Sequence, residues 1–166
     1  MHEFIEASTR DIPTIQDIAE KTWWPTYSPI LSEQQIRYML DAIYSTETLT
    51  HVMLNGIQKF IFLKDENGVQ GFASYGRRPE DQSVFKLHKI YILPANHGKG
   101  YGRLMIDEVK KRIRLAGSTV LDLNVNKFNP AKSFYEKLGF TVIAEEDIAI
   151  GPYWMNDYVM RLHLGA

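Results

Sequence analysis

Residues 97 to 102 read His97-Gly98-Lys99-Gly100-Tyr101-Gly102, a run in which glycine takes every second place. Glycine admits φ > 0 and lets the main chain come close to a bulky anion. Free N–H groups at the start of a helix, with the positive end of the helix behind them, hold phosphate oxygens. The run follows an apolar stretch closed by proline, Ile90-Tyr91-Ile92-Leu93-Pro94, and precedes an amphipathic segment that starts near Arg103. Strand, glycine turn and helix N-terminus thus come in the order a pyrophosphate cradle needs; an ordinary tight strand-to-helix turn is the plainer reading.

The elements that must position this turn are legible from periodicity. Residues 2–8 form a short strand. Ile12, Ile15, Ile18 and Ala19 recur at helical spacing over Asp11 to Thr22. Pro25 and Pro29 are expected to break that helix, leaving Trp23 to Pro29 as a connection. Ser32 with Gln35 resembles a capping box for a second helix carrying Ile36, Met39, Leu40 and Ile43. Residues 46–54 are ambiguous. Ile57 to Leu63 and Val69 to Tyr75 read as strands joined by the turn Asp65-Glu66-Asn67-Gly68, and Val84 to Leu93 as a third. Met105, Val109, Ile113 and Ala116 line one face of a helix over Arg103 to Ala116, with Gly117 just beyond its end. Val120 to Asn126 alternates, Leu121, Leu123 and Val125 against Asp122, Asn124 and Asn126, as a half-buried strand does. Asn129-Pro130 opens a short helix that Gly139 stops, and Phe140 to Ala144 and Asp157 to Leu164 complete the sheet. The order predicts a single α/β (α+β) domain over residues 1–166: a mixed, mostly antiparallel sheet of about seven strands flanked by about four helices.

Bulk composition narrows the chemistry. The chain has 166 residues, 45% hydrophobic and 23% charged, with a formal net charge of −1. That supports one domain with a real core, and no overall field that would draw nucleic acid or an anionic membrane. There is no cysteine, so disulfides, thiolate metal sites and a cysteine nucleophile are excluded, and no metal site is expected. The opening Met1-His2-Glu3 shows no secretory signal and no apolar run is long enough to span a bilayer, so a cytoplasmic location is expected.

Three phosphate ligands compete. The P-loop spacing G-x-x-x-x-G-K-[S/T] is absent. The dinucleotide fingerprint fails because its third glycine falls on Arg103 or Met105; Asp122 lies at a fitting distance for a ribose contact but sits mid-strand. The remaining fit is to an acyl-CoA loop. The run 97–102 resembles the [Q/R]-x-x-G-x-[G/A] loop of the GNAT superfamily of N-acetyltransferases, with His97 where Gln or Arg is usual. Downstream, Asn129-Pro130-Ala131-Lys132-Ser133-Phe134-Tyr135-Glu136-Lys137-Leu138-Gly139-Phe140 resembles the family's N-x-x-A-x-x-[F/Y]-Y-x-x-x-G-F signature, one residue shorter between Asn and Ala. The resemblance covers residues 57–164 well and the first fifty only in outline.

The resemblance implies a cofactor, acetyl-CoA (coenzyme A), and a place for it. The strands 86–93 and 120–126 would splay apart and admit the pantetheine arm against main-chain groups of Ile90, Tyr91 and Ile92, with the Ile92 N–H polarising the thioester carbonyl. His97, Gly98, Lys99, Gly100, Tyr101 and Gly102 would hold the pyrophosphate, and Asn129 would meet the arm while also capping its helix. Tyr135 would protonate the departing thiolate; Phe134 and Leu138, four apart, make the better buried pair and would leave Tyr135 turned partly aside. The family often has a Glu before the loop as proton acceptor. Here that strand has none, and His88 is the best-placed candidate, with an ordinary pKa suited to the task.

The acceptor pocket would lie between two aromatic loops, one with Trp23, Trp24 and Tyr27, the other with Tyr153 and Trp154, able to enclose an amine by apolar and cation–π contact. The tail 153–160 and the stretch 89–93 are similar to bacterial spermidine/spermine acetyltransferases. Glu33, Asp41, Glu145, Glu146, Asp147 and Asp157 are the carboxylates such a cationic substrate would need. The expected reaction is acetyl transfer to a primary amine of a small molecule or peptide by direct attack in a ternary complex, without nucleic acid or membrane partners and with room for a homodimer. A non-catalytic acyl-CoA sensor on the same fold is the rival reading.

Overall fold

The computed structural model describes residues 1–165. Its elements run β1 (His2–Glu6), α1 (Ile12–Tyr27), α2 (Glu33–Tyr44), α3 (Thr46–Leu54), β2 (Lys59–Asp65), β3 (Gly68–Arg77), β4 (Val84–Ile92), α4 (Tyr101–Leu115), β5 (Val120–Asn126), α5 (Ala131–Lys137), β6 (Thr141–Ile150) and β7 (Tyr153–His163). The seven strands form one sheet in the order β1-β2-β3-β4-β5-β7-β6. Every neighbouring pair is antiparallel except β4 and β5. Each face of the sheet buries its own core. One cluster, with Leu87, Met105, Val109, Leu121, Leu123 and Phe140, lies beneath α4 and α5. The other, with Ile15, Trp23, Ile36, Leu49, Phe60 and Phe72, lies beneath α1, α2 and α3.

The pairing of β4 with β5 is short. Ladder partners run from Val84↔Val120 to Leu87↔Leu123 and stop, while β4 stays paired with β3 as far as Ile92↔Gly71. Beyond Leu87 and Leu123 the two parallel strands diverge, which is the expected splay. Just at that point β4 carries a bulge: Tyr75 pairs with Leu87 and Ser74 with Lys89, so His88 is the extra residue. The bulge inverts the side-chain phase. Leu87 points into the α4 core, yet Lys89, two residues on, lies over the rings of Tyr44 and Phe60 on the other face.

The structure corrects several boundaries. α1 does not stop at Thr22 but continues through Pro25 to Tyr27, and the Ser28 N–H still donates to the Trp24 carbonyl at 2.9 Å. Trp23 and Tyr27, one helical turn apart and both buried, anchor the helix on either side of the proline. The ambiguous stretch is α3, capped by the Ser45 hydroxyl, which accepts from the Thr48 N–H. β6 and β7 are longer than expected, so Tyr153, Trp154 and Met155 lie within a strand and only Gly151-Pro152 turns between them. The polar side of β5 is covered: Asp122 is fully buried and receives Arg161 Nε at 2.7 Å, Arg161 Nη2 at 2.9 Å and Arg78 Nε at 2.7 Å. Burial alone would raise the Asp122 pKa; the two guanidiniums outweigh it and hold the carboxyl below its usual range.

Candidate active site

A cleft of about 910 Å³ opens along the fork between β4 and β5. Its geometry starts from the ladder. The Leu93 N–H donates to the Gln70 carbonyl at 2.9 Å, which makes residue 93 a hydrogen-bonded position against β3. In an antiparallel ladder such positions alternate. Ile92 and Ile90 therefore turn their main-chain N–H and C=O groups away from β3 and into the fork. Their side chains pack on the α4 core, whereas Tyr91 packs on the opposite face, its hydroxyl 3.2 Å from that of Tyr27. All three residues line the cleft.

The glycine run forms the other wall. Gly98 and Gly100 have φ of 88° and 78°, and a Cβ built on either meets nothing within 4 Å. Backbone conformation demands glycine at both places, and the space in front of them is open. Gly100 caps α4 without any side-chain hydrogen bond, and the first helical bond runs from the Leu104 N–H to the Gly100 carbonyl. The leading amides of α4 are thus left for a ligand. At Gly102 a Cβ would come within 3.3 Å of the Phe134 ring, so a side chain there would require that ring to give way. The loop is tethered from behind: Tyr101 Oη donates to Asp65 Oδ2 at 2.7 Å, Gln70 Nε2 donates to Asp65 Oδ1 at 3.1 Å, and Asn96 Nδ2 donates to Gln70 Oε1. Lys99 does not line the cleft; its Nζ donates to Asn96 Oδ1 at 3.1 Å and joins that tether. His97 lines the cleft, with Nε2 3.2 Å from the Ile92 carbonyl. Arg103, in the first turn of α4, also lines it, a cation the loop pattern does not single out.

Tyr135 and Asn129 approach from β5 and α5. The Asn129 Oδ1 accepts from the Ala131 N–H at 2.9 Å and so starts α5, while the residue also faces the cleft. The expected packing of α5 is reversed. Tyr135 belongs to the core, its ring edge-on to Phe140 at 5.9 Å, and Phe134 is the exposed one, because the buried stripe runs through Ala131, Tyr135 and Leu138 and leaves Phe134 outside it. Tyr135 nevertheless reaches the cleft, and burial raises its phenol pKa, so it carries its proton at neutral pH.

His88, at the bulge, lines the cleft where the strands part. Burial first, then the charges of Lys86, Lys89 and Arg78, push its imidazole down to about 3. The ring is neutral at pH 7, as an acceptor must be, but its affinity for a proton is low. Of the five aromatic residues expected around the acceptor, only Tyr27 lines this cleft. Trp23 is core, its Nε1 donating to Tyr44 Oη at 3.3 Å. Trp24 turns to the outer side of α1, where Nε1 donates to Glu20 Oε1 at 2.8 Å and the Arg37 guanidinium lies over its ring. Tyr153 packs on Tyr38 with ring centroids 5.5 Å apart, and Trp154 is largely exposed. These four stand apart because they sit on regular elements whose phase points them elsewhere, not on the loop connections their sequence context implies.

A cradle of open amides at a helix start, a gap in the sheet edged by free main-chain groups, and a phenol in that gap fit a long ligand with a diphosphate at one end and an acyl group at the other. Comparison with known proteins agrees. A family model described as an acetyltransferase (GNAT) domain matches residues 27–160. An uncharacterized N-acetyltransferase of Mycobacterium tuberculosis is 26% identical over 151 residues, 90% of this chain and 96% of that protein. A spermidine N(1)-acetyltransferase of Thermoplasma acidophilum is 26% identical over 145 residues, 84% of this chain and 88% of that one. Among solved structures, the PaiA N-acetyltransferase of the same organism, in complex with coenzyme A, superposes with a TM-score of 0.82 at 24% identity, covering 98% of this chain and 99% of that one. Among the described residues no helix is long and apolar enough to cross a membrane.

Proposed function

The chain belongs to the GNAT acetyltransferase family, whose members are acyltransferases fed by acetyl-CoA, and on that premise we propose that it acetylates a primary amine of a small cationic molecule, a polyamine first among them, by direct attack in a ternary complex. The observation that carries this reading is the fork: Ile90 and the Ile92 N–H turn main-chain groups away from β3 into a cleft that ends at the open N-terminus of α4. The similarity to a spermidine N(1)-acetyltransferase supports the polyamine class.

Acetyl-CoA, when bound, supplies an acetyl group activated as a thioester. The residues of this chain do the rest. Gly98, Gly100 and the first amides of α4 hold the diphosphate, and Ile90 keeps the arm in line like an added strand. The Ile92 N–H, turned into the cleft, would supply a single preorganised donor to the thioester carbonyl. Tyr135 Oη holds the proton destined for the departing sulfur. A phenol above its usual value of about 10 is a reluctant acid toward a thiol near 8.5, so position and not acidity makes that transfer productive. His88, neutral beside the fork, accepts a hydrogen bond from the incoming amine.

Thiol release from acetyl-CoA, measured across polyamines, free amino acids, aminoglycosides and peptide N-termini, tests the proposal. Turnover with polyamines at micromolar to millimolar concentration is expected. Absence of release with every amine, from protein that binds acetyl-CoA, would refute transferase activity toward these classes.

A further inference from the structure

Because Leu121, Leu123 and Val125 fill the α4 core, Asp122, Asn124 and Asn126 project from the opposite face of β5. Asp122 is fully engaged by its two arginines. Asn124 is not. It is the first residue of β5 beyond the last β4 partner, and it lines the cleft, as His88 does from β4. Its Nδ2 donates to Asp157 Oδ2 at 3.2 Å and to Glu146 Oε1 at 3.1 Å. Asn124 Oδ1 and Asp157 Oδ1 are both buried, and neither meets a donor among the described residues. Asp157 is only 6% exposed. A buried oxygen left in that condition is unfavourable, the more so when it is charged.

The surroundings do not neutralise this carboxylate. Lys86 on β4 attracts its charge, but Glu146 and Asp147 on β6 repel it, and the Tyr27 phenol on α1 feels it from the side of the cleft. Burial, the largest influence, raises its pKa. Two acceptor oxygens without donors, one on a cleft-lining amide and one on the carboxylate that amide bonds, make a receptor for a group rich in N–H and positively charged.

We propose that Asn124 and Asp157 are the acceptor site of the acetyl transfer, taking the ammonium group of a cationic primary amine. Asn124 lines the cleft and Asp157 lies directly behind it, bonded through Oδ2, so an ammonium that takes the place of the Asn124 Nδ2 bond reaches the carboxylate. Asp157 Oδ1 then takes the proton that the nitrogen must shed: one N–H bond breaks, one O–H bond forms, and the electron pair stays on nitrogen for attack. This role suits a carboxylate of raised pKa better than an imidazole held near 3. The inference rests on the transferase reading above and adds to it the residues that choose a positively charged acceptor.

The test uses spermidine as probe with the wild type, Asp157→Asn and Asp157→Glu. Calorimetry of spermidine into protein saturated with coenzyme A should show binding by the wild type and a loss of roughly ten- to hundredfold in Asp157→Asn, the scale of one hydrogen bond to a charged group. In turnover the loss should fall on kcat, for the missing base, and on the spermidine KM, for the missing contact, and the acid limb of the pH profile should change. Affinity for coenzyme A should stay within about twofold, and Asp157→Glu should recover part of the loss. A crystal with coenzyme A and spermidine should place a nitrogen against Asp157 Oδ1. Equal spermidine affinity in wild type and Asp157→Asn, or ordered waters on both oxygens with the amine bound elsewhere, would overturn the inference. Wild-type protein that bound no coenzyme A would strike the underlying transferase reading as well, a result the calorimetry separates from the others.

Discussion

Replacing Asp122 by asparagine keeps the shape of the side chain and removes the charge that two arginines share. Asp122 is fully buried, while Arg78 and Arg161 are 17% and 30% exposed. Breaking a buried ion pair by removing one member costs about 3–5 kcal/mol, because the other is left uncompensated. Here water recovers part of the arginine hydration, which places the expected loss near the lower end, about 3 kcal/mol. For a chain of this size that corresponds to a fall of about 6–12 °C in melting temperature. The effect has a position as well as a size. Asp122 pairs with Lys86 one step below the last ladder contact, Leu87↔Leu123, so the triad clamps the closed half of the fork. Urea denaturation of wild type and Asp122→Asn at pH 7 measures the difference, and repeating it toward acid checks the cause. Asp122 has a lowered pKa in the fold, so its contribution is whole above the unfolded carboxylate value of about 3.9 and is lost as pH falls through the folded value. The gap between the two proteins should be flat from about pH 7 to 5 and close only below about 4. A loss under about 1 kcal/mol at pH 7 would refute the reasoning, since it would mean that desolvation cancels the attraction.

Tyr135→Phe should lower kcat by about 10²-fold or more with acetyl-CoA affinity little changed, as read from steady-state rates and calorimetry; equal kcat would remove the phenol from the reaction. Gly100→Glu places a side chain on a residue with φ of 78° and an anion in the phosphate cradle, so acetyl-CoA binding should vanish while the far-ultraviolet spectrum is retained. Lys89, 9% exposed, is accompanied by the Gln58 side-chain carbonyl and two aromatic rings, and burial, then the Lys86 charge, brings its pKa down to about 7. The unfolded chain then holds more protons than the fold between about pH 7 and 10.4, so wild-type stability should rise across that window, and Lys89→Met should reduce the rise in a melting series, leaving the part due to Lys86, whose pKa burial also lowers.

Some of this architecture is legible in the residue order and some is not, for physical reasons. Val120–Asn126 is readable to the residue because one of its faces is strictly apolar, and the turn at Gly98–Gly102 is readable because φ > 0 restricts the alphabet to glycine. The passage of α1 through Pro25 is hidden, since proline argues against helix locally and only the burial of Trp23 and Tyr27 against the sheet overrides it. The exchange of Phe134 for Tyr135 in the core depends on which face α5 turns to the cluster beneath α4, a contact between segments far apart in the chain. The bulge at His88 is invisible for the same reason: it exists only relative to β3. The solvated look of Asp122 and Asp157 misleads because their partners, Arg78, Arg161 and Asn124, come together only through strand order.

The early end of the β4–β5 ladder has a consequence for how this protein keeps company with itself. A sheet that opens in its middle owns two extra raw borders, the sort of surface that ordinarily recruits stray extended chain. These borders line the cleft, closed in by residues at the start of α4 and in α5. Under the proposed function the break in the weave is put to use: it leaves main-chain groups of β4 for a guest that pairs as an added strand would.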